Sequence, residues 1–294
     1  MTSGCSVCPR KCGAERGDYK GCGVCGEGNL PRIARAGLHM WEEPCISGTR
    51  GSGTVFFSGC ALRCVYCQNA AISLGGYGKE ISIERLREIY FELIDKDAHN
   101  INLVNSTHFI KSVVASLKGG LTVPVVYNTS GYESVSALKE LEGKVQVYLP
   151  DMKYAVQKPA SRYSNAQDYP EAAKKAILEM YRQTGKYELD SDGLITKGVI
   201  IRHLVLPENI ENTLRVIDWV DKTFSPGEIL FSLMSQYTPS GDLKNYPELQ
   251  RRLTAREYET VSDYLGKSDI YDGYFQELSS AAEEYIPPFD LTGV

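Results

Sequence analysis

All nine cysteines of this 294-residue chain fall within its first 67 positions: Cys5, Cys8, Cys12, Cys22, Cys25, Cys45, Cys60, Cys64 and Cys67. A disulfide framework staples the whole of a small secreted domain and uses an even number of thiols. Two tight groups at one end, with an odd total, fit metal ligation instead. Residues 1–30 carry glycines and polar side chains where a signal peptide needs an apolar stretch. No run approaches the roughly eighteen consecutive apolar residues of a membrane span. A net charge of -5 speaks against a general nucleic-acid binder. The expected setting is cytoplasmic and reducing, with no membrane or nucleic-acid partner.

At 43% hydrophobic and 23% charged residues the composition is globular, and the length allows a large core. Residues 1–50 are rich in Gly and Cys and carry seven Lys/Arg against five Asp/Glu. They read as a separate N-terminal metal-binding segment. From residue 53, short β-branched runs alternate with helical periodicity. Strands are expected at 54–58, 101–105, 123–128, 145–149, 199–206 and 229–236. Helices are expected at 83–94, 109–117, 135–141, 171–184, 210–222 and 248–265. Six such units imply right-handed βαβ crossovers and a parallel sheet. The expected fold is an α/β, partial (β/α)6 TIM-like barrel over 51–240, with an open doubly wound sheet as the competing geometry. Residues 155–170 read as a polar loop and candidate lid. Residues 241–294 read as a helix and tail, with an extended strap from Tyr285 to Val294. In either architecture, chemistry belongs at the C-terminal ends of the strands.

Directly after the first of those strands stands Gly59-Cys60-Ala61-Leu62-Arg63-Cys64-Val65-Tyr66-Cys67-Gln68-Asn69. Three thiolates at this spacing can wrap one face of a compact cluster. A four-iron cluster has four corners, so three ligands leave one iron open for chemistry, whereas a full set suits electron transfer. Zinc would need a fourth ligand, and this loop has no histidine.

The CxxxCxxC motif, with an aromatic before the third cysteine, resembles the radical S-adenosylmethionine enzymes. Residues 51–69 look like the cluster segment of pyruvate formate-lyase activating enzyme. Further strings resemble an activating-enzyme-like subfamily: His39-Met40-Trp41-Glu42-Glu43-Pro44, Tyr127-Asn128-Thr129-Ser130-Gly131-Tyr132, Tyr148-Leu149-Pro150-Asp151-Met152-Lys153-Tyr154 and Arg202-His203-Leu204-Val205-Leu206-Pro207. The resemblance implies a [4Fe-4S] cluster on Cys60, Cys64 and Cys67. Its open iron would chelate S-adenosyl-L-methionine, whose reductive cleavage yields a 5'-deoxyadenosyl radical that abstracts hydrogen.

The same resemblance assigns cofactor contacts along the strand ends. Tyr66 would pack near the adenine. Where relatives carry Gly-Gly-Glu after the second strand, this chain has Val104-Asn105-Ser106-Thr107-His108, leaving Asn105 or Thr107 to accept from the methionyl amino group. Asn128 and Ser130 end the third strand; Asn128 replaces an aspartate that helps hold a monovalent cation in relatives, which weakens such a site here. Asp151 and Lys153 share one face of the fourth strand and either bind the cofactor or pair with each other. Arg202 comes from the fifth. Near the strand ends, His108 and His203 could serve acid–base roles or be structural.

Two CxxC pairs, Cys5/Cys8 and Cys22/Cys25, could form a zinc ribbon or rubredoxin-like knuckle. The subfamily resemblance instead favours Cys5, Cys8, Cys12 and Cys25, with Cys22 the alternative ligand and either zinc or an auxiliary iron–sulfur cluster as the metal. Cys45 reads as a lone thiol. The leading expectation is a pyruvate formate-lyase activating enzyme-like protein, with a glycyl-radical enzyme as partner and a flavodoxin- or ferredoxin-type reductant. The alternatives are a radical enzyme acting on a small molecule or another peptide, and a non-catalytic iron–sulfur electron-transfer protein.

Overall fold

The computed structural model describes residues 4–19, 21–276 and 287–294. Ten strands follow in chain order: β1 Arg32–His39, β2 Ser52–Phe57, β3 Lys79–Glu80, β4 Ile101–Val104, β5 Val125–Thr129, β6 Val147–Pro150, β7 Glu188–Leu189, β8 Ile195–Leu204, β9 Leu230–Met234 and β10 Gly273–Phe275. Across the sheet the order is β10-β9-β8-β6-β5-β4-β2-β1-β3, with β7 paired to β8. From β2 to β10 every neighbouring pair on that path is parallel. Strand order therefore follows chain order without reversal. That is the signature of a barrel wound in one direction, and it excludes the doubly wound alternative, whose strand order must switch back. β1 and β3 extend one edge in antiparallel sense, and among the described residues they do not pair with β10 at the other edge. The fold is a partial (β/α) barrel.

Local sequence explains the main elements. Every residue of β2, β5 and β6 is buried, as two-sided coverage by helices demands of a parallel sheet. Ile83–Ile94 forms the helix read from the sequence. Ser82 caps it by accepting from the Arg85 N–H at 3.1 Å, and Leu86, Ile89, Tyr90 and Leu93 recur at helical spacing on its buried face.

Three expectations change. The segment 155–170 is not a loop or lid: Gln157–Ser164 is a helix, closed by Asn165 at φ 46°, and Tyr169–Thr184 follows. Pro159, Ala160, Tyr163 and Ser164 give it a buried face, and the Tyr163 carbonyl accepts from the Val65 N–H at 2.9 Å, so it braces the cysteine loop. Residues 32–39, read as part of the N-terminal segment, form β1 of the barrel sheet. The helix expected at 248–265 begins at Ala255, behind a capping box in which Thr254 and Glu257 satisfy each other's backbone N–H groups. In the expected strap, residues 285–286 lie outside the described residues. Leu291 and Thr292 then exchange backbone bonds with Ala34 and Ala36 of β1.

Candidate active site at the strand ends

The Cys60–Cys67 loop leaves the C-terminal end of β2 through Gly59, at φ 79°. A Cβ there would lie 2.8 Å from the Cys25 carbonyl oxygen and 2.4 Å from Cγ of Glu27, so glycine is what lets the N-terminal segment close on the loop. Cys60, Cys64 and Cys67 line one cavity of about 280 Å³. The strand ends supply its other walls: Asn105 after β4, Asn128 from β5 and Ser130 just after it, Asp151 and Lys153 after β6, and Arg202 from β8. Tyr66, Met234, Gln236 and Tyr237 complete it. Among the cofactor-contact residues singled out in sequence, Thr107 alone is elsewhere. It is buried and donates its hydroxyl to Glu133 at 2.5 Å.

Hydroxyl groups support the thiols from behind. Ser164 donates to Cys64 Sγ at 3.0 Å, Cys67 Sγ lies 3.2 Å from the Ser73 hydroxyl, and Cys60 Sγ accepts from the Leu62 N–H at 3.4 Å. Ser164 continues to Tyr154 and then Tyr66, each hydroxyl 2.8 Å from the next. Tyr66 is thus oriented by its hydroxyl, while its ring meets Tyr163 and Tyr237 edge-on. Burial pushes the Cys64 thiol up to about 12, and the positive charge of Lys153 acts in the opposite sense. Such a buried thiol becomes a thiolate only against a metal or another cation.

Among the described residues, no three His, Cys, Asp or Glu side chains converge on one point as a single ion requires. A polynuclear cluster binds each cysteine at a different iron and does not need that convergence. Three thiols on one cavity wall, Cys64 buried and Cys60 and Cys67 half-buried, each with a hydrogen-bonding neighbour, fit such a group. Those bonds help stabilise the extra negative charge of a reduced cluster. Ser164→Ala is therefore expected to retain the cluster but shift its midpoint potential negative, as an anaerobic redox titration would report.

Beneath the cavity lies a charged network that sequence reading found only in part. Arg202 donates to Asp151 at 3.1 Å, to Glu42 at 3.0 Å and to the Asn128 amide oxygen at 2.6 Å. Lys153 donates to Asp151 at 2.6 Å. Glu42 also accepts from the amides of Asn128 and Asn102, and Glu43 lies 3.9 Å from Arg202. Burial opposes charge throughout this floor. At Arg202 the three carboxylates outweigh it and raise the pKa; at Asp151 it is outweighed by Lys153 and Arg202, which lower the pKa. At Glu42 and Glu43 burial prevails and the pKa rises. Asp151 and Lys153 therefore pair with each other and still face the cavity. Glu42 has no role assigned from sequence, although it stands in the His39–Pro44 string as half of an acidic pair before Pro44.

His108 and His203 take structural places. His108 Nε2 lies 2.6 Å from the Ser58 carbonyl, and His203 bridges the Met152 carbonyl at 2.6 Å and the Thr213 hydroxyl at 2.9 Å. Neither lines the cysteine cavity. Burial lowers the His203 pKa to about 4. The unfolded ring takes a proton near 6.5, so the neutral folded ring contributes about 3 kcal/mol at neutral pH, lost as pH falls from about 6.5 to 4. Urea midpoints across that window should decline more steeply for the wild type than for His203→Gln.

Residues 47–151 match the family described as a 4Fe-4S single cluster domain. That span holds Cys60, Cys64 and Cys67 and leaves out Cys5 to Cys45. Over 248 residues the chain is 31% identical to the uncharacterized protein MJ0674 of Methanocaldococcus jannaschii, covering 80% of this chain and 68% of that one. The chain belongs to the MJ0674 family. Its alignment with MJ0674 is longer than the matched cluster domain and takes in most of the barrel's length. Streptococcus suis SuiB bound to precursor peptide SuiA is similar with a TM-score of 0.48 and 12% identity, over 78% of this chain and 49% of that one. A radical SAM methyltransferase from Sphaerobacter thermophilus gives a TM-score of 0.49 and 14% identity, over 79% and 69%. The chain thus spans about half the length of SuiB. Among the described residues, no helix is long and apolar enough to cross a membrane.

Proposed function

We propose that this chain is a radical S-adenosylmethionine enzyme that takes a hydrogen atom from a glycine of a protein partner, in the manner of pyruvate formate-lyase activating enzyme. The observation that carries this reading is the meeting of three cysteines and the ends of five further strands around one cavity. An electron carrier needs no cavity beside its cluster, which weighs against a purely electron-transferring protein.

When bound, a [4Fe-4S] cluster on Cys60, Cys64 and Cys67 supplies an open iron for S-adenosyl-L-methionine and one electron for cleaving its sulfonium C–S bond. The chain's own residues bind and orient. Lys153 places positive charge toward Cys64 and Cys67. Arg202 and Lys153 hold Asp151 ionised at the cavity wall, where its oxygens suit ribose hydroxyls. Asn105, at φ 59° and donating to the Gly59 carbonyl at 2.7 Å, keeps its amide oxygen available as a neutral acceptor for the methionyl amino group. Tyr66, Leu204 and Met234 give the apolar surface an adenine requires. A flavodoxin- or ferredoxin-type protein would deliver the electron.

The reading is tested by incubating the anaerobically reconstituted, dithionite-reduced protein with S-adenosyl-L-methionine and following 5'-deoxyadenosine and methionine by chromatography. Formation of both is expected, and a glycyl-radical enzyme added to the mixture should acquire a glycyl doublet in paramagnetic resonance. No cleavage sinks the enzyme reading. Cleavage without a doublet, across all glycyl-radical enzymes of the source, moves the substrate to another peptide or a small molecule. That second reading is favoured by one feature, the Asn105-Ser106-Thr107 end of β4 in place of Gly-Gly-Glu.

A further inference from the structure

The largest motif left without a role is the N-terminal cysteine segment. Its backbone is folded: Cys5 donates to Ala14 at 2.9 Å and accepts from Gly13 at 3.0 Å, closing a hairpin around Cys8 and Cys12. A second turn, Gly26 N–H to the Gly23 carbonyl at 2.9 Å, carries Cys25. Gly23 fits between the two turns. A Cβ there would lie 3.4 Å from Cys12 Sγ and 4.0 Å from Cys25 Sγ. Cys8, buried, starts the tip of the hairpin, where its carbonyl accepts from the Lys11 N–H at 3.1 Å, and Cys12 follows directly on the returning arm. Four cysteines are thus carried by two turns that meet at Gly23, with Cys8 buried and Cys5 and Cys25 half-buried. Cys22, exposed, takes part in none of these contacts.

Between Cys8 and Cys12 stands Arg10, whose guanidinium reaches the cluster loop. It donates to the carbonyls of Ala61 at 2.9 Å and Leu62 at 3.3 Å, which lie between Cys60 and Cys64. It also donates to Ser164 at 2.6 Å and to Asn165, at the end of the helix whose Ser164 hydroxyl meets Cys64. Arg63 answers in the other direction, donating to the Val24 carbonyl at 3.3 Å. One planar fork therefore ties four carbonyls on two elements, a geometry that lysine cannot copy.

We propose that Cys5, Cys8, Cys12 and Cys25 hold an iron–sulfur cluster, which unlike a single ion needs no convergence of the thiols on one point, and that its binding seats Arg10 and so fixes the Cys60–Cys67 loop. Each thiol loses its proton on ligation, and the metal supplies the ordering energy of a segment too small to have a core of its own. The coupling rests on the assignment of the cluster to Cys60, Cys64 and Cys67; the metal site does not.

The first experiment uses the full chain with Cys60, Cys64 and Cys67 all changed to alanine. It is loaded anaerobically with Fe²⁺ and sulfide, and its bound iron and sulfide are counted. Retention of both is expected, kept in an added Cys22→Ala and lost in an added Cys8→Ala. Retention of neither, or equal loss with Cys22→Ala, overturns the site. The second experiment compares the wild type with Arg10→Lys, both with all nine cysteines and the N-terminal site filled. Amide exchange across residues 60–67 should be faster in Arg10→Lys, at equal N-terminal metal content and an equal melting temperature. Identical exchange overturns the coupling. This readout needs no cluster on Cys60–Cys67, so it stays distinct from a failure of the enzyme reading.

Discussion

Cys64→Ala is expected to abolish reductive cleavage of S-adenosyl-L-methionine, leaving 5'-deoxyadenosine at the background of cluster-free protein. Cys64 is the most buried of the three thiols and the one that Ser164, Tyr154 and Tyr66 support in series. Its loss removes the ligand of one iron and strips that hydroxyl chain of its acceptor. The cluster should be labile as well as inactive, with iron and sulfide falling together. Cys45→Ser is the matching control. That thiol lies buried, raised to about 11 by its surroundings, and contributes nothing to the cavity wall. It should keep both iron and cleavage. Full cleavage in Cys64→Ala would move the cluster to other cysteines, and unaltered iron with lost cleavage would make Cys64 something other than a ligand.

The second large effect concerns stability. Arg202→Met should destabilise the protein by about 3–5 kcal/mol, because it leaves Asp151 and Glu42 buried beside each other without their shared cation. The urea midpoint at pH 7 reports this directly. Glu42→Gln on top of Arg202→Met should recover part of the loss, since it removes one of the stranded charges, and a double-mutant cycle gives the coupling. A change below about 1 kcal/mol would mean that water reaches this floor and screens the pair. Cofactor affinity in the same variants separates two roles. If Arg202 only holds the barrel together, the Arg202→Met/Glu42→Gln protein should bind the cofactor as the wild type does; if it positions Asp151 and Asn128, affinity should stay low after stability returns.

Much of this was legible in the chain, for reasons that differ from element to element. The helix Ile83–Ile94 could be read to the residue because its cap and its apolar face are both local signals. The cysteine triad was legible because one loop carries all three ligands, so spacing alone expresses the chemistry. β1 is not legible: arginines at positions 32 and 35 interrupt the alternation, and their charges are met by Glu27 just before the strand and by Glu80 and Asp290 from distant segments. The helix Gln157–Ser164 was read as a loop since its serines and proline carry little helical propensity, and tertiary burial of Tyr163 and Ser164 decides the matter. Glu42 and Arg10 mark the limit most clearly. Each stood inside a string already noticed, yet their partners lie 160 and 154 positions away, and no local pattern encodes such a meeting.

The position of Glu42 also bears on how this protein can be taken apart. The first parallel strand begins at Ser52, and a cut just before it would look like a natural way to isolate the barrel. Such a cut would discard β1, which covers one side of β2, together with the acidic plug that neutralises Arg202 from below. The barrel is thus not a portable cassette: its keel is laid in residues that precede it, and any minimal version has to start no later than Arg32.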